Sequence, residues 1–467
     1  ERFTNNNKQS FSFNMPDLIQ SHEVNIKFSG VARSFQQSNF TVDVNSDFLA
    51  NLSVPVVSSQ YAKEYAREVS TTTQYLSNSS NLDIDVEYSS LDNSALAWLN
   101  YIEINARRKL RITGNSIKFR DITNIGNFIG QYRIEDGAGL VVWDVTDPTN
   151  VTKLAASINM DDLFFNDSLN ILHEYIGFNS SSYLEPNLGG SILNQNIHNT
   201  PSNTEFIIIC HPDFLSAANR LADFHLEKDN LISVVVTPNQ IYNEFSSGMQ
   251  DVTAIRDFLK FQYDKQDSEL KYVLLFGDGS FDPKNRIANN TNYIPTYQSE
   301  NSTHPIYSYV TDDYYVLLDD NEGLFNNDLI DIGIGRFPVS TISEADVLVD
   351  KVERYYEMSS FGSWRNDVVF IADDGDALDG NTHMWQADSL ANYVSDNYEE
   401  MNIQKIYLDN YKQESTSGGP RSLDAQTAIN NRIKKGALLV NYTGHGGPLG
   451  WTQERILEID QIQEWDN

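Results

Sequence analysis

The sequence has one cysteine, few basic side chains and no long apolar run. Cys210 is the single cysteine among 467 residues, so neither an intrachain disulfide nor a cysteine-based zinc site can form. Lys and Arg total 33 against 65 Asp and Glu, and the resulting net charge of −32 repels phosphate backbones. No segment approaches the roughly 18 consecutive apolar residues of a membrane-spanning helix. We therefore expect no nucleic-acid partner and no transmembrane segment in this chain.

The composition is that of a folded, multidomain chain. Hydrophobic residues make up 40% of the sequence and aromatic residues 12%, which is enough for two or three cores. The chain begins Glu1-Arg2-Phe3, without a secretory signal pattern, which predicts a mature product or an excised fragment. The last residues, ending at Asn467, predict that the chain is cut inside a domain.

The first 200 residues predict an all-β sandwich. Short runs with alternating or β-branched residues are separated by Asn, Ser, Asp and Gly clusters. The predicted strands are 10–14, 23–28, 40–44, 82–88, 116–120, 128–134 and 140–145. Residues 96–110 fit a strand or a helix, and their alternation favours the strand. The histidines of this half, His22, His173 and His198, are isolated and predict surface or packing roles.

After an Asn-, Ser- and Gly-rich linker the hydrophobic period changes, and strands alternate with helices. This pattern predicts βαβ units and a parallel sheet flanked by helices. Residues 201–362 form a first predicted sub-unit, with strands that include 206–209, 272–276 and 330–334. Residues 363–467 form a second one, with strands 368–372, 403–408 and 437–442. A further strand is expected beyond the last of these, so the second sub-unit is predicted to be incomplete.

The most informative residues follow the last predicted strand. In open α/β sheets, ligands bind at the carboxyl ends of the strands. Thr443-Gly444-His445-Gly446-Gly447 places a glycine-flanked imidazole at such an end. The Gly446 N–H is then a candidate donor to an oxyanion. A glycine turn with an incidental histidine is the alternative interpretation.

Four blocks between residues 205 and 467 together resemble the gingipain family of cysteine peptidases, which has the caspase-like fold. Asn441-Tyr442-Thr443-Gly444-His445-Gly446 resembles the family's catalytic-histidine block. The others are 331–337 with the helix that ends at 357, then 272–278 and 250–258. The resemblance implies that His445 is the general base and acid, that Asp331 orients it, and that Gly446 supplies the oxyanion donor. A carboxylate on the second ring N–H fixes the tautomer and stabilises imidazolium.

The sequence departs from the family at the nucleophile. The family places a cysteine at the end of the strand after the histidine strand, and no such cysteine is present. Cys210 follows the first strand of the first sub-unit, and we predict a buried, inert thiol there. Either the chain stops before the nucleophile or the parent protein is an inactive relative. The retained His445 and Asp331 favour the first explanation, and the fragment by itself is predicted to be inactive.

Acidic residues cluster in two further places. Calcium prefers several oxygen ligands on flexible loops, and the resemblance allows structural calcium, although the chemistry requires no cofactor. The candidate calcium ligands are Asp312, Asp313, Asp376 and Asp379, with solvated acidic turns as the alternative. The candidate substrate-binding residues are Asp373, Asp374 and Trp451, with core packing as the alternative for Trp451. His383 lacks a second histidine at metal spacing, so zinc is not predicted there.

The β-rich front, with Val142-Trp143-Asp144-Val145-Thr146-Asp147-Pro148, is similar to the sortase branch of the family in the bacterial type IX secretion system. This resemblance implies an extracytoplasmic enzyme at the cell surface that cleaves C-terminal signal domains from secreted cargo. It further implies acyl transfer to a surface lipopolysaccharide amine, with outer-membrane proteins as partners. The alternatives are a catalytically inactive binding or scaffold protein on the same fold and a general secreted cysteine peptidase.

Overall fold

The computed structural model describes residues 2–4, 7–60, 63–179, 181, 183, 185, 187, 189–192, 194–323, 328–376, 379–447 and 449–465. The chain forms two compact units. The first comprises Glu1–Ile209 and Val236–Arg336, and the second comprises Cys210–Val235 and Phe337–Asn467. The predicted three-part division at residues 200 and 362 stays a prediction.

Eight strands at the start of the first unit form two antiparallel four-stranded sheets, with the orders β1-β8-β3-β6 and β2-β7-β4-β5. They are β1 Arg2–Phe3, β2 Asn7–Asn14, β3 Val24–Arg33, β4 Ser38–Val44, β5 Asp47–Val54, β6 Arg67–Tyr75, β7 Asn81–Ser90 and β8 Leu96–Asn105. Alternate residues of β3, β4 and β7 are buried in one shared core, which contains Phe28, Phe40 and Tyr88. This packing is a β-sandwich.

Seven further strands form a second, smaller pair of antiparallel sheets, with the orders β10-β14-β13 and β12-β11-β15-β9. They are β9 Ser116–Arg120, β10 Asn127–Ile134, β11 Leu140–Asp144, β12 Thr152–Lys153, β13 Ala156–Asn159, β14 Asp162–Leu169 and β15 Glu174–Asn179. Their core contains Ile134, Val142, Phe165 and Tyr175. The sandwich prediction is thus confirmed in kind, but the region holds two separate cores instead of one.

The remainder of the chain alternates strands and helices, as predicted. The elements are β16 Phe206–Cys210, α1 Leu215–Asp229, β17 Ser233–Val236, α2 Pro238–Phe245, α3 Val252–Tyr263, β18 Tyr272–Phe276, β19 Tyr297–Gln298, β20 Val310–Thr311, β21 Gly333–Phe337, α4 Ile342–Tyr356, β22 Asp367–Ala372, α5 Thr382–Asn397, β23 Asn402–Tyr407, β24 Glu414–Thr416, β25 Gly419–Arg421, α6 Leu423–Lys435, β26 Leu439–Thr443, β27 Gly446–Gly447, β28 Gly450–Trp451 and α7 Ile459–Gln463. Strands β16, β18 and β21 follow one another in one sheet. No helix among the described residues is long and apolar enough to cross a membrane.

The sheet of the second unit has the order β23-β22-β26, and both pairings are parallel. Successive side chains of β22 point to opposite faces. Val369 and Ile371 pack in a core with α6, whereas Val368 and Phe370 pack in a core with α5. A strand covered on both faces needs apolar residues at every position, which explains the unbroken Val-Val-Phe-Ile-Ala run. Strand β26 lies at the edge of this sheet.

Candidate active site

The loop that carries His445 begins where β26 ends, and Asp373 follows the end of the neighbouring strand β22. Because parallel neighbours end at the same edge of a sheet, the two loops meet there. The Asp373 N–H donates to the Thr443 carbonyl at 3.1 Å. A Cβ at Gly444 would lie 2.5 Å from the Asp373 Cβ, so a residue without a side chain is required at this crossing.

Asp373 holds both the backbone and the ring of His445. Its Oδ2 accepts the His445 backbone N–H at 3.0 Å and lies 3.0 Å from the ring Nδ1. The carboxylate itself is nearly buried, with 5% of its side chain exposed, and its Oδ1 accepts the Asp374 N–H at 3.0 Å. A carboxylate fixed in this way holds the proton on Nδ1 and leaves Nε2 as the reactive nitrogen.

The pKa of His445 lies above its usual value of 6.5. Partial burial of the ring lowers this pKa, but the hydrogen bond and negative charge of Asp373, with the charges of Asp379 and Asp376, outweigh the burial. The stabilisation that this raised pKa gives is complete below pH 6.5 and is lost as the pH rises through the folded-state pKa.

We expect the His445 imidazole to titrate with a midpoint above pH 6.5 in NMR spectra of histidine-labelled protein. Asp373→Asn removes the negative charge but keeps an oxygen near Nδ1, so it should lower that midpoint. The exposed His22 provides an internal control in the same spectra. A His445 midpoint that does not change in the Asp373→Asn protein would contradict the assigned pairing.

The opposite ring nitrogen faces a second set of groups. The His445 Nε2 lies 3.1 Å from Oδ2 of Asp379, and the ring centroid lies 4.8 Å from that of His383 with an interplanar angle of 86°. Asp379 lies in the loop after β22, and His383 lies in the first turn of α5. The sequence singled out Asp379 only as a calcium candidate.

The Gly446 N–H is not used by its strand partner. Gly446 pairs with Trp451 in the β27–β28 hairpin, but the Trp451 N–H donates to Leu457 and its carbonyl accepts from Ile456. The Thr452 N–H donates to the His445 carbonyl at 2.9 Å, which makes the Gly446–Trp451 pair a non-hydrogen-bonded one. Gly446 is exposed, so its N–H stays a candidate donor to a ligand.

Trp451 packs beneath the histidine loop. Its ring is stacked on that of Tyr442 with centroids 4.2 Å apart, and the Tyr442 hydroxyl donates to the His445 carbonyl. Trp451 also packs against the core formed with α6. The Trp451 ring therefore packs between the histidine loop and the core, which agrees with the core-packing alternative. Its predicted role as a wall of the substrate pocket stays a prediction.

Asp331 lies in the first compact unit, just before β21, where the sequence predicted a strand over 330–334. Its Oδ2 accepts the Leu318 N–H at 2.6 Å. This bond fixes the chain next to a 3₁₀ turn at Asp313–Val316. The assignment of Asp331 as the orienting carboxylate stays a prediction, whereas the carboxylate hydrogen-bonded to His445 is Asp373.

The two predicted calcium groups, Asp312 with Asp313 and Asp376 with Asp379, stay predictions, and members of each have protein partners. Asp312 forms a two-point ion pair with Arg336, at 2.8 Å to Nε and 2.7 Å to Nη2, and this guanidinium neutralises the carboxylate. Oδ1 of Asp376 accepts the Asp379 N–H at 2.8 Å. Among the described residues, the carboxylate and imidazole groups at metal-binding spacing include Asp379 but neither Asp312, Asp313 nor Asp376.

Glu454, which the sequence analysis did not select, lies close to Asp373 and Asp374. The carboxylates of Asp373, Asp374 and Glu454 have oxygens within 4.8 Å of one another. Burial raises the pKa of Asp374, and a hydrogen bond from Gln413 opposes that rise; burial also raises the pKa of Glu454. Glu454 lies in a turn with no periodic pattern, so only the folded chain identifies it as a neighbour. Asp374, predicted to bind substrate, is half-buried in this cluster.

Cys210 is fully buried at the end of β16. Its Sγ is 3.1 Å from the His211 carbonyl, and burial raises the pKa of the thiol to about 12. A thiol in this environment stays protonated at neutral pH and is a poor nucleophile. This confirms the predicted buried thiol.

Comparisons with known proteins show the family and the fold. The model of peptidase family C25 matches residues 199–467. The crystal structure of dimeric latent PorU from Porphyromonas gingivalis superposes with a TM-score of 0.66 and 24% identity, over 99% of this chain and 41% of that one. A calcium- and xylotriose-bound carbohydrate-binding module CBM36 aligns at 12% identity over 22% of this chain and 78% of its own, with a TM-score of only 0.16. No curated protein matches the chain. The chain thus spans about two-fifths of the length of PorU.

Proposed function

The chain belongs to peptidase family C25, and from this membership we propose that it is part of a gingipain-like cysteine endopeptidase that acts as a sortase. The single observation that carries the proposal is the pairing of His445 with the buried Asp373 at the carboxyl edge of the β23-β22-β26 sheet. We further propose that this sheet and its helices form a caspase-like domain whose nucleophile lies outside these 467 residues.

In the proposed mechanism, His445 accepts the thiol proton at Nε2 while Asp373 keeps the Nδ1 proton in place. The thiolate attacks the peptide carbonyl carbon, and the oxyanion that forms accepts a hydrogen bond from the Gly446 N–H. His445 then gives its proton to the leaving amine, and a thioester remains. We assign the orienting role to Asp373 and not to Asp331, because Asp373 makes the hydrogen bond to the ring.

An uncovered edge supports the placement of the nucleophile elsewhere in the protein. Strand β26 is an edge strand, and the side chains beside it are apolar although 42% of Leu438 and 49% of Leu439 remain exposed. Together with Leu390, Tyr398 and Met401 these residues line an apolar groove. An exposed apolar edge is suited to pairing with another strand. We propose that a strand carrying the catalytic cysteine pairs there.

For the sortase step, we propose that an amine attacks the thioester carbonyl in place of water. The new amide bond forms as the C–S bond breaks; the proton that the attacking amine loses passes to His445, and the cysteine leaves as its thiolate. The proposed acyl donor is secreted cargo with a C-terminal signal domain, and the proposed acceptor is an amine of surface lipopolysaccharide. Outer-membrane proteins of the type IX secretion system are the proposed partners, at the cell surface.

The test is covalent labelling of the longer protein with a thiol-directed peptidyl probe, followed by peptide mapping. We expect one labelled cysteine outside these residues and an unlabelled Cys210, since that thiol is buried. Adding an amine to the probe-free enzyme with a cargo peptide should yield the amide product of transfer. Label on Cys210, or no label on folded protein, would contradict the peptidase proposal and favour a binding or scaffold role. Hydrolysis without transfer would contradict the sortase step alone.

A further inference from the structure

A three-ligand cluster lies at the Nε2 side of His445, and it contains two imidazoles and one carboxylate. His383, Asp379 and His445 each offer one ligand atom, and these atoms all lie within 4.8 Å of one another. The Asp379 Oδ2 is 3.1 Å from the His445 Nε2 and 3.8 Å from the His383 Nε2. Zinc at His383 is not predicted from the sequence, because only the fold brings a second histidine, His445, close to it.

These spacings bracket the ligand separations of a small tetrahedral ion. Zinc with nitrogen and oxygen ligands at about 2.0–2.2 Å requires its ligand atoms to be about 3.3–3.5 Å apart. The two measured distances to the Asp379 oxygen lie on either side of that range. Two histidines and a carboxylate are also the ligand types of open zinc sites, which keep a fourth position for water.

The orientation of the ligands is set by the surrounding structure. The Nδ1 of His445 is held by Asp373, which leaves Nε2 to point at Asp379. A carboxylate that holds the far nitrogen of a metal-binding imidazole is the usual supporting contact of such sites. The Nε2 of His383 is buried and makes no hydrogen bond among the described residues. A buried ring nitrogen without a partner requires an explanation, and the Asp379 Oδ2 lies 3.8 Å from it.

We propose that His383, Asp379 and His445 form a site for Zn²⁺ or a similar divalent transition ion. This site goes beyond the proposed peptidase function. Metal binding needs only residues of this chain, whereas peptide cleavage needs a cysteine outside it. If the peptidase proposal also holds, zinc inhibits the enzyme reversibly, since the ion occupies the nitrogen that must accept the thiol proton.

Zinc titration of the 467-residue chain, cleared of metal by a chelator and followed by calorimetry, tests the site. We expect one Zn²⁺ per chain, with affinity falling at low pH as the imidazoles protonate. Asp379→Asn and His383→Ala should each weaken binding at least about tenfold, the loss that follows even from disturbing supporting contacts of metal sites. His22→Ala, at an exposed turn in the other unit, should bind zinc as the unmodified chain does.

Histidine-labelled NMR identifies the ligands independently of affinity. One equivalent of zinc should shift the imidazole resonances of His383 and His445 together and leave that of His22 in place. Absence of saturable binding, or equal affinity in the unmodified, Asp379→Asn and His383→Ala chains, would overturn the site. Because binding is measured without turnover, its failure leaves the peptidase proposal intact, and failure of the labelling experiment leaves the zinc site intact.

Discussion

Replacing His445 by alanine in the longer protein is expected to lower kcat/KM for peptide cleavage by at least about 10³-fold. The imidazole is the proposed group that takes the thiol proton and returns it to the leaving amine, so both halves of the reaction lose their proton carrier. About 4 kcal/mol of transition-state stabilisation disappears with a loss of that size. Steady-state kinetics on a fluorogenic peptide measure the loss, and labelling by the thiol-directed probe should slow in parallel.

The matched control for this variant is His22→Ala, which removes an exposed imidazole from the β-sandwich. Both variants should fold, because 37% of the His445 side chain is exposed and its loop is held by backbone bonds to Asp373 and Thr452. Circular dichroism and the thermal midpoint check this. Near-normal cleavage by a folded His445→Ala protein would remove the imidazole from the mechanism and favour a non-enzymatic role for this chain.

Local sequence patterns were sufficient to predict most strands and helices and the loop that carries His445. The apolar run before Thr443 indicates strand β26. The glycines around His445 indicate a loop whose backbone passes close to another segment of the chain, as Gly444 passes close to Asp373. Strands β18 and β22 begin and end within one residue of the predicted bounds 272–276 and 368–372. These features depend on residues within one turn or one strand, which is the range that periodicity reports.

Pairing between distant segments could not be predicted in the same way. Alternation shows that one face of each early strand is buried, but it does not show which sheets share a core. The predicted single sandwich therefore contains two cores in the structure. The sequence likewise placed Asp373 at a strand end and assigned it to substrate. The neighbouring position of β22 and β26, which brings Asp373 to the His445 ring, is a long-range property of the sheet. Asp379, His383 and Glu454 join the site for the same reason.

The second large expected effect tests whether Asp373 or Asp331 orients the His445 imidazole. Asp373→Asn should lower kcat by about 10²–10⁴-fold, because an amide at this position no longer stabilises imidazolium and can favour the wrong tautomer. Asp331→Asn should leave kcat close to that of the unmodified protein, since an amide oxygen can still accept the Leu318 N–H. The two substitutions make the same change of size and charge, so the comparison isolates position.

The pH dependence separates a positioning role from mere loss of structure. The charge of Asp373 contributes to the raised pKa of His445, so Asp373→Asn should move the histidine-controlled limb of the pH–rate profile to lower pH. A folding defect would reduce activity without moving that limb. The reverse outcome, a large loss in Asp331→Asn and little change in Asp373→Asn, would return the orienting role to Asp331. It would mean that the contact of Asp373 with His445 holds the loop in place without contributing to proton transfer.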